Sequence, residues 1–457
     1  MDAVSAKLPP VTDGLPPERR RWAILAIFTA LAMAALDTAI ANIALPAIAA
    51  DLNTTPADVI WVVNVYQIAM VATLLPLAAL GEIIGHQRIY LWGLLLFTVA
   101  SLACALAWSL PSLLVARVLQ GLGGAAVMSV NTALVRFVYP SKLHGRGFGN
   151  NALVVATAYT LGPALASGIL AVASWQWLFA INIPFGVAAI LVGMKTLPAT
   201  PRAAHAFDVP GALLTSISLC LFIVGIGSAA HKAPAALVGL ELAGAVIFGA
   251  LLIRRQAEHP APMLPIDLFR RPMFSLSVAT AVCSFAVQGL AFVSLPFYFE
   301  DVLHRTQVET GFFMTPWSIV VAIMAPIAGR LSDRHPVGIL GGFGLLLLGV
   351  GMALLAMLPP SPSVLDIVWR MAICGCGFGF FQSPNMKAIM SSAPAGRSGS
   401  ASGIVATARL IGQTIGAALA ALCFAIADRE GATLALALGA GFGALGCVMS
   451  FLRLRVR

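Results

Sequence analysis

The chain has 457 residues, 60% of them hydrophobic and only 10% charged, with a mean hydropathy of +0.94. That composition argues against an ordinary soluble domain and makes lipid the solvent. The net charge of +9 would suggest nucleic acid in a soluble protein, but with so few charges its meaning lies in their placement.

Apolar stretches of roughly 20 residues, enough to cross about 30 Å of hydrocarbon as a helix, recur along the whole chain. They fall at 22–46, 58–80, 89–109, 111–137, 147–172, 175–197, 207–228, 235–254, 273–298, 308–329, 337–358, 363–388, 396–427 and 431–453, fourteen in all. The first follows Arg19-Arg20-Arg21 and is too long for a cleaved signal, so it is expected to remain as a span. It contains Asp37. A carboxylate at bilayer depth is costly and marks a functional site by default, a proton relay or a partner for a cation. At about 1.5 Å per residue, Asp37 and Arg117 of the fourth span lie at comparable depths and are expected to meet. One reading is a proton-coupling pair; the other is a static pair that orders the first helices.

The second span holds Trp61, Asn64, Tyr66 and Gln67, which with Asn42 of the first and Phe381, Gln382 and Asn385 of the twelfth are candidates for a substrate cavity. An aromatic pocket with one net acid suits lipophilic cations; ordinary packing is the alternative for any one of them. Glu82 and Arg88 after span two, and Arg330, Asp333 and Arg334 after span ten, are placed to form contacts that break between access states. Glu241 in span eight is assigned to packing or the lipid boundary, and Lys387 to snorkelling at a helix end. Arg409 and Gln413 of span thirteen are candidates for coupling or substrate contact. All seven cysteines fall inside spans without metal-ligand spacing, so neither a disulfide nor a metal site is expected.

Two internal echoes share nearly one offset. Val155-Ala-Thr-Ala-Tyr-Thr-Leu-Gly162 reappears as Val405-Ala-Thr-Ala-Arg-Leu-Ile-Gly412, and Ala78-Ala-Leu-Gly-Glu82 as Gly329-Arg-Leu-Ser-Asp333. They predict a duplication: an all-α membrane protein with 14 transmembrane helices arranged 6+2+6. The divisions are a tail at 1–21, a first half at 22–200, an inserted pair at 201–256, a loop at 257–272 and a second half at 273–457. About twenty of the 27 Lys and Arg then fall on the side of both termini, which the positive-inside rule assigns to the cytoplasm.

Leu36-Asp37-Thr-Ala-Ile-Ala-Asn42-Ile-Ala-Leu45-Pro46 resembles the first-helix signature of the fourteen-span drug:proton antiporters of the major facilitator superfamily. Arg117-Val-Leu-Gln120-Gly121-Leu-Gly123-Gly124 is similar to the superfamily's fourth-helix motif, Gly162-Pro163 to its fifth-helix antiporter motif, and Trp175-Gln-Trp177-Leu-Phe179-Ala-Ile-Asn182 to the entry of helix six. The loop after span two departs from the family in Glu82-Ile83 and Ala78, and the antiporter motif in Ala158 and Ala166-Ser167. The resemblance implies a major facilitator fold with Gly162 and Pro163 as gating elements. It also implies proton-driven efflux of lipophilic, often cationic compounds from an inner membrane, by a monomer whose partners are substrate, protons and lipid. A periplasmic adaptor is not indicated.

No nucleotide-binding motif or hydrolytic constellation is present, so the expected energy source is the proton gradient, without a cofactor, and the chain is not read as an enzyme. Export of one endogenous metabolite, proton-coupled uptake, and a non-transporting membrane sensor remain as alternatives.

Overall fold

Among the described residues, thirteen helices are long and apolar enough to span a membrane, and a further one, His144–Leu170, has 27 residues. The computed structural model describes residues 13–140, 143–202, 206–230, 233–258, 266–332, 334–392, 398–427 and 430–455. The first six long helices are α1 (Pro17–Asp51), α2 (Trp61–Ile84), α3 (His86–Ala105), α4 (Leu110–Val138), α5 (His144–Leu170) and α6 (Asn182–Thr196). Two helices follow, α7 (Val209–Ala230) and α8 (Ala235–Glu258). The remainder comprises α9 (Pro272–Phe297), α10 (Gln307–Leu331), α11 (Val337–Ala356), α12 (Val364–Ser392), α13 (Ser398–Ala427) and α14 (Gly431–Leu452).

Helix ends follow local chemistry. α4 starts at a reciprocal Ser109/Ser112 capping box and α10 at a Thr306/Glu309 one, each satisfying amides that a helix start leaves bare. Gly85, at φ 106°, makes the break between α2 and α3 without an intervening loop, a conformation that favours glycine. The span expected at 175–197 runs from Trp177 to Thr196, with one turn, Trp177–Ala180, leading into α6 through the helical backbone of Ile181. α1 opens at Pro17, so its first turn lies within the tail expected at 1–21. The preset φ of proline suits a first helical position.

Helix packing in α1–α6 is repeated in α9–α14. α1 packs on α5 and α6 as α9 packs on α13 and α14; α4 joins α2 and α3 as α12 joins α10 and α11. The contacts rest on small residues that let backbones approach. Gly123 meets the backbone of Phe97 as Gly377 meets that of Leu348, and Gly121 meets Tyr66 as Gly375 meets Trp317.

Between the two sets, α5 packs on α10, α2 on α13 and α1 on α9. α1 and α14 put both described chain ends on one face, the terminal face. At the other, far face the sets are in direct contact: Ser167 Oγ of α5 donates to Gln307 O of α10 at 3.2 Å, and the turn Pro56–Val59 packs on α13. The largest apolar cluster joins Leu45 and Ile48 of α1 to Phe292 and Leu295 of α9.

Candidate functional site

Asp37 and Arg117 meet. Arg117 Nη1 donates to Asp37 Oδ2 at 2.5 Å, and both residues are buried, at 4% and 0% exposure. The other oxygen of Asp37 accepts from Gln120 Nε2 at 2.8 Å, with Asn182 Nδ2 at 3.5 Å. Arg117 also donates to Gln120 Oε1 at 2.6 Å and to Val62 O at 2.9 Å, and its guanidinium lies 4.1 Å from the centre of the Tyr66 ring. Gln120 donates in turn to Ser101 Oγ at 2.9 Å. One carboxylate is thereby connected to side chains from α2, α3, α4 and α6. Gln120 and Asn182 were in the quoted motifs but not among the predicted site residues; the signal was there, since Gln120 is one turn from Arg117.

A second polar group lies between the two helix sets. Thr38 and Asn42 of α1, Gln67 of α2, Gln288, Gly289, Phe292 and Val293 of α9, and Gln413 of α13 enclose a cavity of about 10 Å³, room for about one water. Gln413 Nε2 donates to Gln288 Oε1 at 2.9 Å. The predicted cavity residues Asn42 and Gln67 line it, as does Gln413; Thr38, Gln288 and Phe292 were not singled out.

Other predicted cavity residues sit elsewhere. Tyr66 lies under Arg117, with its hydroxyl directed at Ala34 O at 3.4 Å. Trp61 packs at Gly227 of α7. Asn385 accepts from Arg453 Nη1 at 2.7 Å and donates to Ser277 O at 3.1 Å, near the terminal face. Phe381 is buried where α12 meets Gly341 and Gly344 of α11. Gln382 is half-buried and Asn64 fully buried.

Residues 27–417 match the family model described as Major Facilitator Superfamily. The chain belongs to that superfamily. This major facilitator transporter is 48% identical to "Uncharacterized transporter YebQ" of Escherichia coli strain K12, over 97% of both chains. It is 30% identical to "Riboflavin transporter RibZ" of Clostridioides difficile strain 630, over 89% of both. It is 32% identical to "Multidrug resistance protein Stp" of Mycobacterium tuberculosis strain CDC 1551 / Oshkosh, over 87% of this chain and 74% of that protein.

In this superfamily member the candidate gating residues Glu82, Arg88, Arg330 and Arg334 are exposed at the terminal face, while Asp333 lies outside the described residues. Gly162 of α5 faces Ala39 of α1, two residues beyond Asp37, and Pro163 follows inside the helix. Lys387 does not simply snorkel: its Nζ donates to Ser332 O at the end of α10, at 2.9 Å. Glu241 packs against α7 near Gly225. Arg409 is half-buried one turn before Gln413. Among the described residues no group of His, Cys, Asp or Glu is arranged to hold a metal ion.

Proposed function

We propose that this transporter is a proton-coupled exporter, a drug:proton antiporter of the fourteen-span branch that moves lipophilic small molecules across the bacterial inner membrane by alternating access. The observation that carries the reading is the buried Asp37 carboxylate, held by Arg117 and Gln120 one residue before Thr38 of the central cavity. A proton taken up by Asp37 removes the charge that faces Arg117, which has no proton to give in exchange. The attraction tying α1 to α4 therefore differs between the two loading states. Because α1 also lines the cavity through Thr38 and Asn42, proton and substrate act on one helix and bias the same equilibrium.

The moving bodies are the halves at 22–200 and 273–457, with the pair at 201–256 inserted, the loop at 257–272 and both termini cytoplasmic. The repeated helix contacts support the 6+2+6 arrangement, and the Lys and Arg bias supports the orientation. Gly162 and Pro163, with the charged terminal-face residues, serve as gating elements, and a monomer carries the activity. Similarity to a multidrug resistance protein supports efflux. Similarity to a riboflavin transporter favours a second reading, a carrier dedicated to one metabolite.

The test uses purified protein in weak buffer with ethidium, chloramphenicol and nalidixate as probes. A transported probe releases protons from wild type and none from Asp37→Asn. In inside-out vesicles an acid-inside gradient drives accumulation of that probe. Proton release unchanged in Asp37→Asn removes Asp37 from coupling, and accumulation only under the opposite gradient makes the protein an uptake carrier.

A further inference from the structure

The lining of the central cavity holds no acid to balance a lipophilic cation. Its polar wall is built from carboxamides, those of Asn42, Gln67, Gln288 and Gln413, with the Phe292 ring beside them. Asn42 spends its amide nitrogen on Thr38 O at 3.0 Å and leaves Oδ1 without a donor; Gln67 leaves Oε1 without one. Asn64, three residues before Gln67 and on the same side of α2, is completely buried with both amide atoms unpartnered. Buried polar atoms nearly always find partners, so the unpartnered oxygens of Asn42 and Gln67 on the cavity wall require an explanation. A substrate carrying N–H or O–H groups supplies the missing donors.

The charges point the same way. Asp37 is adjacent to Thr38 in sequence, but both of its oxygens are turned to Arg117 and Gln120. None of the cavity-lining residues is charged. The next charge along α13, one turn before Gln413, is positive: Arg409, whose Nε is buried without a partner. A cation entering here finds no acid among the lining residues, and the helix that contributes Gln413 adds only a positive charge one turn away, an arrangement that disfavours it by repulsion.

We infer that this cavity takes uncharged or anionic ring compounds bearing N–H or O–H donors and discriminates against lipophilic cations. The inference rests on the exporter reading for the cavity's role in transport and replaces the cationic substrates that the family resemblance implied. Donors on the ligand meet Asn42 Oδ1 and Gln67 Oε1, the ring lies on Phe292, and an acceptor or anionic group faces Arg409. At about 10 Å³ the cavity is closed to such a molecule, so loading requires the halves to part, as alternating access demands.

The experiment is equilibrium binding to the full-length protein in lipid nanodiscs, with chloramphenicol as the uncharged probe, nalidixate as the anion, and ethidium and tetraphenylphosphonium as cations. The expected result is binding of chloramphenicol or nalidixate, weakened about tenfold by Asn42→Leu or Gln67→Leu, the loss of about one hydrogen bond. Arg409→Gln weakens nalidixate alone. Gln67→Glu, which keeps the side-chain volume, raises affinity for the cations and so reads the site even where a leucine variant fails to fold. Cations binding wild type as tightly as the other probes, no binding by any of the four, or leucine variants with unchanged binding each overturn the inference. If the binding pattern holds without Asp37-dependent proton release, only the exporter reading falls. If ethidium evokes Asp37-dependent release and binds tightly, only this inference falls.

Discussion

Replacing Asp37 by Leu is expected to be more damaging than replacing Arg117 by Met, although each removes one end of the same ion pair. Without Asp37, Arg117 keeps Val62 O and Gln120 Oε1 but stays charged, since a guanidinium does not deprotonate in a protein. A fully buried cation without its counterion costs about 3–5 kcal/mol. Without Arg117, Asp37 keeps Gln120 Nε2 at 2.8 Å and can take up a proton, so that no charge is left buried. That loss is expected to be roughly 1–3 kcal/mol, close to that of a buried hydrogen-bonding group losing its partner. The double variant Asp37→Leu/Arg117→Met removes both charges and should be more stable than Asp37→Leu alone, with a coupling energy of about 2 kcal/mol or more. Reversible unfolding of the purified variants in mixed micelles, as a function of denaturing detergent fraction, gives the three free energies. Costs that simply add in the double variant, or an Arg117→Met at least as destabilised as Asp37→Leu, would refute the reasoning.

Gly311→Val is expected to push α10 off Ser167 and Pro163 of α5. At about 1–3 kcal/mol for overpacking it shifts the protein toward a state open at the far face, read as a longer spin-label distance between these helices; an unchanged distance counts against this contact as a closure. Gly121→Ile drives a branched side chain into the backbone of Tyr66, the residue beneath Arg117, and is expected to abolish folded yield in size-exclusion chromatography, whereas normal yield would mean that α2 and α4 have room to part. Asp208→Ala removes the acceptor of Arg255, Gln256 and the Gly211 amide at the base of the α7–α8 pair. Local opening there should become easier by roughly 1–3 kcal/mol, seen as faster hydrogen exchange confined to residues 206–258; unchanged exchange would show that the contact holds nothing together.

The depth of each buried charge was readable because helical rise is nearly constant, and Asp37 and Arg117 meet as the arithmetic requires. The direction a side chain faces around its helix was not. In water the polar face of a helix announces its orientation, but in lipid both the protein-facing and the lipid-facing sides are apolar and that signal fades. Asn385 and Phe381 were therefore assigned to the cavity as a polar and an aromatic residue of span twelve, while they face Arg453 and α11. Trp61 packs at Gly227 of α7, a helix for which the internal sequence repeat offers no counterpart and so no guide to its neighbours. Thr38 and Gln288 went unnoticed because neutral polar residues among apolar ones carry no depth or charge signal.

α7 lies across only one of the two seams between the helix sets. It packs on both α2 and α13 and is fixed to α2 by Ser216 Oγ donating to Ala72 O at 2.9 Å, whereas the α5–α10 seam has no comparable helix over it among the described residues, and Phe312 stands exposed on α10. Lipid tails can thus touch the dividing surface on one flank while protein shields the other. An oily solute dissolved in the bilayer meets an asymmetric particle, and the flank of α5 and α10 is where it touches the boundary between the two helix sets without first crossing water.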